Sequence, residues 1–139
     1  ILDKGADVTD ICSNVDFDTM ASPGSWVVNP DWAAENADVI VRFNRAMFKA
    51  MDFAAAATTD DAVAEEVAGY VAKITGLDVE STIAQRYDGS WLNSTQVLEM
   101  IDSGKLVDYY NAQQTNFGDA AGPLKADEFV LVDLMINAK

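Results

Sequence analysis

The chain has 139 residues, about the length of one domain with a hydrophobic core. Half of the residues are hydrophobic and 23% are charged, a composition typical of soluble globular proteins. The 23 acidic residues against nine Lys and Arg give a net charge of -14, which argues against nucleic acid and anionic membrane surfaces as partners because both repel an acidic protein.

Two residue types that often carry chemistry are scarce. The chain has no His, which removes the commonest general base and the commonest metal ligand. Its one Cys, Cys12, follows Ile11 in an apolar run, so we interpret it as a buried, inert thiol. We therefore expect no catalytic residues, no metal and no cofactor.

The chain begins with two short segments of β type, residues 7–13 and residues 25–29. Val8 and Ile11 anchor the first segment, and Trp26 begins the apolar run of the second. Two strands cannot form a stable sheet alone, so we expect them to join strands from outside these 139 residues.

Beyond Asn29 the pattern is helical. Apolar residues at spacings of three and four predict a long helix from Asn36 to about Ala56, with one stripe formed by Ile40, Phe43, Met47, Ala50, Met51 and Ala54. Phe43, Met47, Met51 and Phe53 could line a hydrophobic cofactor slot, but we interpret them as core. Further helices are predicted after Thr58, from Asp78 to about Tyr87, and from Ser94 or Thr95. Turns are predicted at residues 88–90, 103–104 and 118–123, followed by one last helix that contains Asp127 and Glu128.

Acidic clusters are the only candidates for metal or acid–base sites. Asp60-Asp61 and Glu65-Glu66 fit a helix start and a solvated face better than a carboxylate site. Asp10, Asp16 and Asp18 lack the Gly and the terminal Glu of a calcium loop.

The candidate ligand-binding residues are Met20, Ser22, Gly24 and Trp91. Residues 20–25 form a turn of small residues that leads into a β segment, where hydroxyl and backbone N–H groups can face a bound solute. A plain connection between loop and strand fits the same residues. Trp91 follows a polar turn, and either ligand contact or packing would explain an aromatic side chain there.

The stretch SPGSWVVNPDWAAEN at residues 22–36, followed by ADVIVRF, resembles the late segment of periplasmic substrate-binding proteins for taurine, aliphatic sulfonates and nitrate. The turn ITGLDVE at residues 74–80 is similar to that family's turn between helices. Ala37 stands where the family usually has Pro. The likeness extends over residues 1 to about 136 without a single diagnostic motif.

This resemblance implies an α/β fold, namely the C-terminal portion of a two-lobed (type II) periplasmic binding protein, rich in helix with a few strands. Residues 1–22 would end the second lobe and return through the hinge, and residues 23–139 would form the C-terminal part of the first lobe. The N-terminal half of the family's chain would be absent from this sequence. With one cleft wall absent, we expect the isolated chain to bind solutes only weakly.

The function that the resemblance implies is solute capture for an ABC importer, without catalysis, in the periplasm or as a lipid-anchored extracellular protein of a Gram-positive cell. The implied partners are a small-molecule solute, the membrane permease and the missing N-terminal half. Taurine-binding members have Asp where this chain has Gly24, which argues against a ligand amine and leaves a sulfonate, another small organic anion or a neutral solute. The alternatives are an enzyme on the same fold, similar to those of thiamine-pyrimidine synthesis, and a helical protein-interaction domain.

Overall fold

A computed structural model describes residue 11, residues 24–87 and residues 91–139. Within these ranges the chain forms helices joined by short turns. The α-helices are α1 (Pro30–Glu35), α2 (Ala37–Ala56), α3 (Asp61–Thr75), α4 (Val79–Ala84), α5 (Ser94–Asp102), α6 (Lys105–Phe117), α7 (Ala126–Phe129) and α8 (Val132–Ile136). Two 3₁₀ turns follow α4 and α6, at Gln85–Tyr87 and Gly118–Ala121.

The predicted α/β fold is wrong for the part of the chain that the structure describes, which contains helices and no strand. Residues 25–29 form neither helix nor strand, and the side chains of Trp26 and Val27 are 76% and 94% exposed. A strand is stabilised by hydrogen bonds to a neighbouring strand, so β propensity alone does not produce one. The other predicted strand, residues 7–13, lies outside the described residues except for Ile11.

Side-chain caps mark the starts of four of the eight α-helices in the described residues, namely α1, α3, α4 and α5. The Asn29 side chain accepts hydrogen bonds from the N–H groups of Asp31 and Trp32, so α1 begins at Pro30, a residue suited to the first position of a helix. Asn36 precedes α2 as predicted, but its amide donates to the Trp32 carbonyl oxygen and makes no cap.

Two predicted boundaries are wrong. Asp60 and not Thr58 caps α3, because the Thr58 hydroxyl donates back to Ala55 at the end of α2. The predicted last helix is divided into α7 and α8 at Val130 and Leu131, where the backbone leaves the helical conformation.

The centre of the fold is α2, which packs against α1, α3, α5 and α8. Phe48 of α2, Val97 of α5 and Ala138 form the buried cluster, and partly buried residues surround it. Phe43 and Phe53, predicted as core, are 41% and 37% exposed. Met51, also predicted as core, packs against the cluster, so the prediction is confirmed for Met51 and wrong for Phe43 and Phe53.

A polar contact also ties α2 to α5. The Asp52 carboxylate accepts hydrogen bonds from the backbone N–H of Ser94 at 2.7 Å and from its hydroxyl at 2.9 Å. Asp52 thus satisfies a free N–H of the first turn of α5, next to the Asn93 cap. Among the described residues, no helix is both long and apolar enough to cross a membrane.

Candidate functional site

A half-enclosed cavity of about 330 Å³ lies between α2, α3 and α4. Most of its walls are small aliphatic side chains: Ala54 of α2 and Ala57 at its C-cap, Ala64, Val67, Ala68 and Val71 of α3, and Ile83 of α4. The four α3 residues recur at spacings of three and four, so they share one helix face. Because three of these alanines are almost fully buried and still leave space beside them, the cavity results from small side chains on facing helices.

Four residues with polar groups complete the lining: Thr82, Gln85, Arg86 and Trp91. The Thr82 hydroxyl donates to the Asp78 carbonyl oxygen, and the Trp91 indole N–H donates to the Arg86 carbonyl oxygen at 2.8 Å. This second bond fixes the half-exposed indole at the cavity wall while satisfying its only polar atom.

Arg86 is the cation of the cavity. Its Nη1 donates to Asp61 Oδ1 at 2.8 Å, and this hydrogen bond raises the pKa of the guanidinium above its ordinary value, so Arg86 stays protonated. The Arg86 side chain is largely buried, whereas that of Asp61 is 88% exposed. Arg86 Nε is shielded from solvent and has no hydrogen-bond partner among the described groups. A buried N–H without an acceptor is unfavourable, so this atom favours any acceptor that can reach it.

Helix α4, which packs against α3 beside the cavity, begins at a side-chain cap. Asp78 accepts hydrogen bonds from the Ser81 N–H and the Ser81 hydroxyl, both at 2.8 Å, and these bonds lower the pKa of its carboxyl below the ordinary value. Helix α4 carries Thr82 and Ile83 into the lining. The Asp78 cap thus stabilises the first turn of a helix whose side chains line the cavity.

We expect acid to loosen this wall of the cavity. Because the folded pKa of Asp78 is lowered, its cap contributes fully above the ordinary carboxyl pKa of about 3.9 and is lost as the pH falls through the lower, folded value. The Ser81 amide proton shift, followed by NMR, should titrate below that ordinary pKa. In D78N the amide still caps but does not titrate, so the step should vanish. A step at or above the ordinary carboxyl pKa would contradict the assignment.

Of the two predicted ligand-binding residues that the structure describes, Trp91 lines the cavity and Gly24 does not. Met20 and Ser22 lie outside the described residues. Gly24 is exposed, with no atom within 4 Å of where a side chain would begin, and it is not part of the lining. The neighbouring Ser25 hydroxyl shares a hydrogen bond of 2.6 Å with the Tyr110 hydroxyl. The structure therefore separates Trp91 from Gly24.

Arg86 and the alanine-lined face of α3 were not predicted as site residues. Asp61 was interpreted as part of a solvated helix start, which explains its exposure but not its bond to Arg86. The available signal was the alanine spacing at positions 64 and 68, together with the cation that ends the α4 segment. Neither feature indicates a cavity until the facing helix is known.

A second depression of about 700 Å³ lies between α6 and residues 118–125. It is a shallow surface groove, open to solvent, and the Gln114 amide crosses it to donate to the Leu124 carbonyl oxygen. Among the described residues, no group of three or more His, Cys, Asp or Glu is placed to hold a metal ion. Asp10, Asp16 and Asp18, discussed above for calcium, lie outside those residues. The cavity at Trp91 is therefore the better candidate site.

Comparisons with protein-family models, curated proteins and solved structures found no match to this chain.

Proposed function

We propose that this chain captures a small solute for an ABC importer, and that the solute lies in the cavity between α2, α3 and α4. The observation that carries the proposal is the half-enclosed apolar cavity of about 330 Å³ with few polar groups at its edge. Small-molecule sites typically have about 300–1,000 Å³, apolar walls and a small number of placed polar groups. The importer assignment rests on the residue pattern of 22–43 and 74–80.

The proposal departs from the family's arrangement in one respect. Because the described residues form no α/β lobe, the solute is placed between helices and not in a cleft between lobes. Capture needs only differential affinity and reversible release, both of which an apolar cavity supplies without a reacting group. Trp91 and Arg86 would set the orientation of the solute, and the alanines of α2 and α3 would set its size.

The test is an NMR titration of the ¹⁵N-labelled chain with small solutes that share one branched aliphatic body: 3-methylbutane-1-sulfonate, 3-methylbutanoate and 4-methylpentan-2-one. Taurine, which has no apolar body, is the control. We expect at least one of the three to give saturable shifts confined to the cavity lining, at micromolar to millimolar concentration, and taurine to give none. Absence of saturable shifts with all three, or shifts at residues 24–29 without any at Trp91, would contradict the proposal.

A further inference from the structure

We infer that the cavity selects a neutral, largely apolar solute with one hydrogen-bond acceptor, such as a small ketone or ester, over an organic anion. This inference rests on the proposed function, because it concerns the charge of the solute that the same cavity takes. It follows from the hydrogen bonds that donors of the lining already make and from the ion pair between Arg86 and Asp61.

The charges around Arg86 disfavour an anion. Of the lining residues that the structure describes, Arg86 is the only cation, and Asp61 lies 2.8 Å from its Nη1. A carboxylate or sulfonate at Arg86 Nε would therefore approach a guanidinium that is already paired, and it would lie near a second negative group. The net charge of -14 adds repulsion at long range. Arg86 thus attracts an anion much less strongly than an unpaired Arg would.

The hydrogen-bond donors of the lining suit a carbonyl oxygen. An anionic head group has several lone pairs that must be satisfied when it leaves water, whereas one carbonyl oxygen needs a single donor. Two donors of the lining, the Thr82 hydroxyl and the Trp91 indole N–H, already have acceptors. Among the described residues of the lining, Arg86 Nε is the donor that is both shielded from solvent and without an acceptor, and Gln85 lies at the exposed edge. The guanidinium has other N–H groups, but this shielded one is satisfied by a single carbonyl oxygen.

The acceptor of the solute must reach Arg86 Nε, which is shielded. Because Arg86 Nε is shielded from solvent, we expect its side chain to shift slightly toward the cavity as the acceptor enters. The Gln85 and Trp91 side chains in the lining, and the Tyr87 ring whose centroid lies 4.8 Å from Arg86 Cζ, are exposed or half-exposed, so such a shift disturbs little packing. The gain is an acceptor for a shielded donor that has none among the described residues.

The experiment compares two isosteres at pH 7. 4-Methylpentan-2-one and 3-methylbutanoate have the same branched skeleton and differ only in a methyl group against a charged oxygen. We expect the ketone to bind at least about tenfold more tightly, or about 1.4 kcal/mol. The readouts are the Trp91 indole N–H, assigned with W91F, and the Arg86 Nε–H resonance. Equal or tighter binding of 3-methylbutanoate overturns the inference and leaves solute capture standing. Absence of binding by both compounds and by the sulfonate overturns solute capture itself.

Two variants test the reason for the preference. R86K keeps the positive charge but removes the Nε donor, so it should weaken ketone binding about tenfold. D61N, at an exposed position, frees the guanidinium and should strengthen binding of 3-methylbutanoate while leaving the ketone within about twofold. Ketone binding that is unchanged in R86K, or 3-methylbutanoate binding that is unchanged in D61N, would overturn the assigned roles of Arg86 and Asp61.

Discussion

Replacing Phe48 with alanine (F48A) is expected to lower the free energy of unfolding by about 3–5 kcal/mol. Phe48 is 7% exposed and packs with Val97 and Ala138, where α2, α5 and α8 meet. Truncation deletes a ring that is packed away from water, and it leaves a void that the neighbouring helices fill only in part. Because domains of this size are stable by about 5–15 kcal/mol, the loss is a large fraction of the total.

The control is F53A on the same helix. Phe53 is 37% exposed and lies outside the buried cluster, so we expect its truncation to cost less than half as much. Both variants are measured by urea unfolding, with the slope of the transition checked for a change in the denatured state. Equal losses in the two variants would contradict the assignment of Phe48 as the centre of the core.

Local features of the fold could be predicted from the sequence because each is decided within a few residues. Asn29 before Pro30 begins α1, Asp78 begins α4, and Gly76 ends α3 with a φ of 74° in the left-handed region that favours glycine. The interruption at Gly104, with a φ of 77°, separates α5 from α6 as expected. In each case one side chain or one backbone angle determines the result.

Features that depend on a distant partner could not be predicted in the same way. Helix α2 has apolar residues on several faces, so the sequence, from which Phe43 and Phe53 were predicted as core, did not distinguish these exposed residues from the buried Phe48. The choice is made by α5 and α8, to which Asn44 also binds by donating to the Leu134 carbonyl oxygen. Residues 25–29 illustrate the same limit, because β-type residues form a strand only beside another strand.

The candidate site was predictable only in part. Trp91 stood out because an aromatic residue beside a polar turn needs either a ligand or a packing partner, and the structure places it at the cavity wall. Arg86 gave no such signal, since its bond to Asp61 spans 25 positions. A cavity forms between facing helices, so the small residues at 54, 57, 64 and 68 indicate one only when the packing of α2 against α3 is known.

Replacing Val71 with phenylalanine (V71F) is expected to weaken binding of 4-methylpentan-2-one by at least about tenfold. Val71 lines the cavity from α3 and is 36% exposed, so a larger side chain from this position extends across space that the solute would occupy. Since the position is partly open to solvent, the added ring need not disrupt the core, and we expect stability to change by about 0.5 kcal/mol or less.

I74F is the matched control, because Ile74 lies three residues further along the same helix, is 87% exposed and is not part of the lining. It adds an aromatic ring of the same size to α3, so any general effect of the ring on helix stability or solubility is shared. Ketone binding measured by NMR should be lost in V71F and retained in I74F, while urea unfolding shows both variants folded. Retained binding in V71F would move the solute away from this cavity. Loss in both variants would show that the ring, and not its place at the wall, causes the effect.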